Sequence, residues 1–174
     1  MTALAVSATE ITSSTDKGAR RALLDSPIGP LIVEATESAV VHLHLPESST
    51  GPMATSPRPR GVLADALSQL GEYFAGKRRA FDLPLELAGT PFQCAVWEAL
   101  AEIPYGCVVS YAQLAAMVGR PRAFRAVGQA NGANPIPIVL PCHRVVASGG
   151  RIGGYGGGLP MKRRLLALEG VHLD

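Results

Sequence analysis

The sequence predicts an α+β protein. A small N-terminal α/β domain occupies residues 20–88, a mostly helical C-terminal domain with a helix-turn-helix occupies 89–174, and residues 1–19 form a mobile tail. Three observations predict it. Segments that alternate apolar and polar side chains, the strand signature, sit in the first half. Two helix starts with capping-box patterns, Thr90-Pro91-Phe92-Gln93 and Ser110-Tyr111-Ala112-Gln113, sit in the second. Charge also changes sign between them: residues 1–89 hold 8 Lys/Arg and 10 Asp/Glu, net −2, whereas 90–174 hold 8 and 4, net +4. The C-terminal half is therefore the side that would meet a polyanion, over a limited and salt-sensitive contact.

The tail is rich in Ser, Thr and Ala, without clear periodicity. From Ala22 to Ala35 two β-prone runs flank Pro27-Ile28-Gly29-Pro30, which reads as a hairpin. Val40-Val41-His42-Leu43-His44-Leu45 alternates with period two and makes a third strand. His42 and His44 share a face there. With no third or fourth ligand nearby in sequence, that face reads as the solvated side of a strand rather than a metal site. Residues 46–61 are a polar, Pro-rich loop in which Arg58 and Arg60 read as solvated charges. Leu63, Ala66, Leu67, Leu70 and Phe74 follow the i, i+3, i+4 rule, predicting an amphipathic helix over 62–75 that stops near Gly76. Phe81, Leu83, Leu85 and Leu87 alternate again, as a strand or an extended linker. Nothing in this half makes a chemical argument.

In the second half, Thr90 as N-cap, Pro91 at the first helical position and Gln93 at N3 open a helix. It directs Phe92, Val96, Trp97, Leu100 and Ile103 inward, with Cys94 as a packed thiol, and stops before Pro104-Tyr105-Gly106. The Ser110 box opens a short helix to about Val118. Gly119-Arg120-Pro121 turns the chain, and a second helix runs from about 123 to 132. Such a pair is a helix-turn-helix candidate, although most such pairs only pack. The second helix presents Arg125, Ala126, Gln129, Ala130 and Ala133, one basic residue heading a row of small ones that would let a backbone approach another surface.

Asn134-Pro135-Ile136-Pro137-Ile138-Val139-Leu140-Pro141-Cys142-His143-Arg144-Val145-Val146 follows. The apolar run from Ile136 to Leu140 has the pattern of an extended segment buried on both faces, and it delivers a Cys-His-Arg tripeptide. Neighbouring side chains diverge on a strand and on a helix, so proton transfer between Cys142 and His143 would need a bridging water. On the dipeptide alone, a buried thiol acting as a small hydrophobe is the commoner outcome. The Gly-rich run from Gly149 to Gly158 fits neither G-x-G-x-x-G nor a Walker A loop. Its glycines suit close approach to a planar ligand or simple flexibility equally well. A last helix spans 162–168, with Lys162, Arg163 and Arg164 as a solvated basic face. Glu169 closes it, and an acid at a helix C-terminus opposes the macrodipole. That misfit points to another job.

Several classes fall away. Three cysteines without C-x-x-C spacing argue against a disulfide scaffold and suit a reducing cytoplasm. No apolar run approaches a membrane span, and the N-terminus lacks the marks of a signal peptide.

From Leu23 to Gly170, and most strongly from Thr90 on, the chain resembles the O6-alkylguanine-DNA alkyltransferases, the methylated-DNA–protein-cysteine methyltransferases. The resemblance is carried by the Asn-Pro-Ile-Pro lead-in, Pro-Cys-His-Arg, the Arg-Ala-Val-Gly helix, the Tyr-Gly-Gly-Gly loop and the late Glu-Gly. It implies a ribonuclease H-like N-terminal domain and a winged-helix-like helix-turn-helix. It implies direct-reversal repair, in which Cys142 takes the alkyl group from O6-alkylguanine, and from O4-alkylthymine, irreversibly and once per molecule. His143 would relay the thiol proton through a water, Glu169 would orient His143, and Asn134 would hydrogen-bond the active-site turn.

DNA contact would fall to Arg125, Ala126, Gln129, Ala130 and Tyr111. The helix would lie in the minor groove of double-stranded DNA, with Arg125 filling the gap left by a flipped base. Tyr111, Val145, Tyr155 and Gly156 would form the base pocket. The resemblance implies no cofactor, a monomer with cooperativity on DNA left open, and no metal, since the zinc ligands some relatives carry in the N-terminal domain are missing. Two departures stand out: Gly156 where some relatives have Ser, and Phe124 beside the arginine where relatives often have Ala. Three alternatives remain. A lesion binder without chemistry would lack the Cys. A helix-turn-helix regulator would read the major groove with long polar side chains. A Cys-His hydrolase would require an oxyanion hole.

Overall fold

A computed structural model describes residues 18–46 and 58–173. The expectations for the tail up to residue 17 and for the loop over 47–57 lie outside the described residues. The chain divides into two compact units, with the boundary between Ala88 and Gly89.

In the first unit, β1 (Arg20–Leu24), β2 (Leu31–Ala35) and β3 (Val40–His44) form an antiparallel meander. Ala22 pairs with Val33, and Val33 with Leu43. The turn closes through Gly29, whose N–H donates to the Ser26 carbonyl at 3.0 Å. Helix α1 (Val62–Phe74) packs on this sheet. Its buried stripe is Leu63, Ala66, Leu70 and Tyr73. Tyr73 replaces the expected Phe74, which is half-buried and meets it edge-on at 5.2 Å. Gly76, at φ 70°, follows the helix as the pattern required. The stretch around Leu85 is extended: Val40 N–H donates to the Pro84 carbonyl, and Glu86 N–H to that of Val40.

The His42–His44 face is not simply solvated. Glu34 is buried and accepts two bonds from the Arg21 guanidinium, at 2.9 and 3.1 Å. His44 Nε2 lies 3.2 Å from the same carboxylate, and the two imidazoles stack at 4.1 Å. Among the described residues no cluster of three or more His, Cys, Asp or Glu is arranged to hold a metal ion.

The second unit is mostly helical. Both capping boxes form: Gln93 N–H donates to Thr90 Oγ1 while Gln93 Oε1 accepts from Thr90 N–H, and Gln113 and Ser110 repeat the exchange. These start α2 (Pro91–Ala101) and α3 (Tyr111–Met117). Helix α4 (Phe124–Gly132) follows the turn and packs on α2 and α3, with Trp97 Nε1 donating to the Ala130 carbonyl at 2.8 Å. Strands β4 (Val109–Ser110) and β5 (Val145–Val146) pair in parallel, setting the start of α3 beside the segment that leaves Cys-His-Arg.

Two elements differ from expectation. The run Ile136–Leu140 is a tight turn, not an extended segment: Leu140 N–H donates to the Ile136 carbonyl at 2.9 Å, and Ile138 sits at φ 75°. Helix α5 (Gly158–Leu168) begins four residues before Lys162. Pro160 falls in its first turn, where a missing N–H costs nothing. Among the described residues no helix is long and apolar enough to cross a membrane.

Candidate active site

Three segments of the second unit build the site. The Ile136–Leu140 turn is pinned by Asn134, whose Nδ2 donates to the Leu140 carbonyl at 2.8 Å and whose Oδ1 accepts from Ile136 N–H at 3.0 Å. Pro141 then leads into a single 3₁₀ turn, Cys142–Arg144, in which the three side chains fan out about 120° apart. All three are buried, His143 completely.

The second segment is the end of α5. The Glu169 carboxylate collects His143 Nε2 at 2.7 Å, Arg144 Nε at 2.8 Å, Arg144 Nη2 at 3.0 Å and the Gly106 N–H at 3.3 Å. Burial alone would raise its pKa, but the hydrogen bonds from His143 and Arg144 hold it down to about 2. Glu169 is therefore an acceptor only, so His143 carries its proton on Nε2. Burial pushes the imidazole pKa down, against the pull of Glu169, and keeps the ring neutral. Nδ1 then bears the free lone pair, and among the described residues it has no hydrogen-bond partner. Arg144 completes the unit through Nη1 to the Ile103 carbonyl and stacks its guanidinium 5.8 Å from the Tyr105 ring.

The third segment is the β5–α5 connection. Lys162, expected on a solvated face, is fully buried. Its Nζ donates to the Val145 carbonyl at 2.6 Å and the Gly154 carbonyl at 2.9 Å. Burial lowers its pKa to about 8. The correction has a physical reason: Lys162, Leu165, Leu166 and Glu169 lie at i, i+3, i+4 and i+7, one inward face of α5. That spacing was available in the sequence. Burial pushes the Cys142 thiol up, while the Asn134 amide, the Lys162 charge and the Tyr155 hydroxyl act in the other direction.

Tyr111 stands half-buried at the start of α3, its hydroxyl 3.4 Å from the Gly154 carbonyl. Gly128 and Gly153 flank its ring; a Cβ on Gly153, at φ 70°, would press within 3.1 Å of Ala147 N and 3.4 Å of the Tyr111 ring. Asn131 is buried and donates to the Cys142 carbonyl at 3.5 Å, joining α4 to the thiol turn. Val145 is fully buried, its N–H donating to the Cys142 carbonyl and its carbonyl accepting from Lys162 Nζ. Gly156 is exposed, and a Cβ there would meet nothing within 4 Å.

On α4, Arg125, Ala126 and Gln129 are exposed together. Ala130 is a correction to the expected surface: only 3% exposed, it faces α2 and takes the Trp97 indole bond. Five positions past Arg125 is about 140° around a helix, which turns it inward. Arg144, Lys162 and Asn131 were absent from the expected site. A charge or amide among apolar residues at helical spacing was the available signal for Lys162 and Asn131.

The arrangement is a buried thiol next in the chain to a neutral base whose other nitrogen is locked by an ionised carboxylate, with Arg125 exposed on a helix of the same unit. Comparisons with known proteins bear on it. Residues 91–171 match the 6-O-methylguanine DNA methyltransferase DNA-binding domain, and residues 19–87 match the ribonuclease-like domain of 6-O-methylguanine DNA methyltransferase. The methylated-DNA–protein-cysteine methyltransferase of Mycobacterium tuberculosis H37Rv is 49% identical over 148 residues, 84% of this chain and 89% of its own length. The constitutive enzyme of that name from Bacillus subtilis 168 is 44% identical over 153 residues, 84% of this chain and 93% of its own. The structure of Mycobacterium tuberculosis OGT in complex with DNA superposes with a TM-score of 0.78 at 46% identity, covering 88% of this chain and 92% of that one.

Proposed function

The chain belongs to the 6-O-methylguanine DNA methyltransferase family, and from that premise we propose that it is a methylated-DNA–protein-cysteine methyltransferase that moves the alkyl group of O6-alkylguanine, and of O4-alkylthymine, onto its own Cys142. One observation carries the reading: the neutral His143 imidazole, its Nε2 held by the ionised Glu169, next in the chain to a buried thiol.

The thiol proton passes through a water to His143 Nδ1. The sulfur attacks the alkyl carbon, the S–C bond forms as the C–O6 bond breaks, and the electron pair goes to the purine, which takes up one proton to leave as guanine while His143 gives up the one it received and returns to neutral imidazole. A neutral base suits this step, because imidazole can accept a proton and imidazolium cannot. Arg144 neutralises Glu169, which keeps that carboxylate from drawing His143 into its charged form. The thioether is stable, so each molecule acts once. Asn134 fixes the Cys142 turn; Tyr111, Tyr155 and the backbone at Val145 and Gly156 form the base pocket.

The O6 atom is out of reach inside a duplex, so the base must leave the stack at a cost of a few kcal/mol. Arg125, with Ala126 and Gln129 beside it, enters the minor groove and fills the gap. Ala126 is short enough for close approach. The protein acts as a monomer in the reducing cytoplasm, where its thiols persist.

The test is to incubate the protein with a duplex carrying one O6-methylguanine, digest it and weigh the peptides. The Cys142 peptide should gain one methyl in place of one hydrogen and saturate at one per protein. An unmodified peptide despite tight binding would make it a lesion sensor instead.

A further inference from the structure

Phe124 is the first residue of α4 and is 47% exposed, so its ring neither packs in the core nor caps the helix. The Arg125 guanidinium lies over that ring, with Cζ 5.9 Å from its centroid. Arg120 and Arg122 precede the pair in the turn before the helix and are exposed. No acidic residue occurs between Glu102 and Glu169, so nothing in this stretch competes for these cations. Arg120 is engaged elsewhere, its Cζ 5.9 Å from the Phe92 ring.

We propose that Phe124 is a positioning residue for Arg125: its ring is a shelf that holds the guanidinium in one orientation before a duplex arrives. The proposal rests on the reading of Arg125 as the group that fills the stack. An arginine ordered only on binding gives up more rotamer freedom than almost any other side chain. A ring face attracts a guanidinium through its quadrupole and matches it in shape, so part of that ordering is already present in the free protein. The stacked pair also presents a flat surface of the kind that bases stack on. Arg122 supplies positive charge at its edge for a phosphate. An Ala at this position leaves the arginine without the shelf.

The test is a double-mutant cycle. Single-turnover transfer is measured on a subsaturating duplex with one O6-methylguanine and on free O6-benzylguanine, which is already outside any stack. The proteins are the unmodified chain, Phe124→Ala, Arg125→Ala and the double variant. Phe124→Ala should slow the duplex reaction about two- to fivefold, the range of an exposed cation–π contact. It should leave the free-base reaction unchanged and have no further effect once Arg125 is gone. Phe124→Trp should restore the rate, and Phe124→Leu, equally apolar, should not.

A loss of the same size with or without Arg125 would overturn the shelf and make Phe124 a separate DNA contact. Loss on both substrates would make it merely structural, which also overturns the proposal. If Arg125→Ala slows the duplex reaction and Phe124→Ala does not, the shelf fails alone. If Arg125→Ala does nothing, the finger reading beneath it fails too.

Discussion

His143 Nε2 lies 2.7 Å from Glu169 Oε1, and neither side chain has exposed surface. Acid should dismantle this pair in a defined order. Both groups have folded pKa values below their unfolded ones, so both contribute stability that is full at neutral pH and lost as pH falls. His143 acts first, from about 6.5 downward, because the unfolded ring binds a proton that the buried one refuses. Glu169 follows as pH drops from 4.5 towards about 2. That second step is worth on the order of 3 kcal/mol at about 1.4 kcal/mol per unit. Urea unfolding at pH 7, 5 and 3 should show the midpoint falling in both intervals. In Glu169→Gln the fall below pH 4.5 should shrink; an unchanged slope there would refute the coupling.

Lys162 should set the pH profile of transfer. The Cys142 thiol is pushed up by burial, so its thiolate fraction, and with it the single-turnover rate, should climb through the neutral range. Near pH 8 the climb should flatten, because Lys162 loses there the charge that favours the thiolate. Lys162→Met removes that charge and leaves the Val145 and Gly154 carbonyls without their ammonium. The rate at pH 7 should fall about tenfold or more, the scale of losing a charged hydrogen bond. The flattening should vanish; if it persists in the variant, another group produces it.

The features legible in the sequence were those set by local rules. Capping boxes at Thr90 and Ser110 depend on residues three apart, and both formed. Glu169 was legible because its place at a helix end conflicts with the macrodipole, and a conflict needs a partner elsewhere. The turn at Ile138 was not, because periodicity reports which residues are apolar and says nothing of a β-branched residue forced to positive φ. Lys162 is hidden by the default that charges face water. Its inward place follows only when the face is traced from Lys162 through Leu165 and Leu166 to Glu169. Arg144 joins a carboxylate 25 residues away, a pairing no local rule reaches.

Ile138 offers a test of backbone strain against packing. A β-branched residue at φ 75° costs on the order of 1–3 kcal/mol, yet the side chain is fully buried. Ile138→Ala should lose roughly 2–5 kcal/mol of stability by leaving a cavity. At an ordinary position Gly would be worse still. Here Gly adopts the required φ freely, so Ile138→Gly should match or exceed the stability of Ile138→Ala in urea. The reverse order would mean that the turn relaxes out of this conformation.

The two hydrogen bonds of Asn134 separate geometry from charge at the thiol. Asn134→Ala deletes both bonds to the Ile136–Leu140 turn and should cost about 1–3 kcal/mol of stability, as buried backbone groups lose their partners. Transfer should slow because the Cys142 turn loosens. Asn134→Asp is nearly isosteric and keeps the acceptor for Ile136 N–H. It sets a carboxylate oxygen against the Leu140 carbonyl and a negative charge where an amide had favoured the thiolate. A like charge disfavours ionisation of the thiol. Asn134→Asp should therefore transfer more slowly than Asn134→Ala, although it fills the site better, and the deficit should narrow at low pH as the new carboxyl protonates. Equal rates in the two variants, measured on free O6-benzylguanine so that DNA binding plays no part, would limit Asn134 to holding the turn.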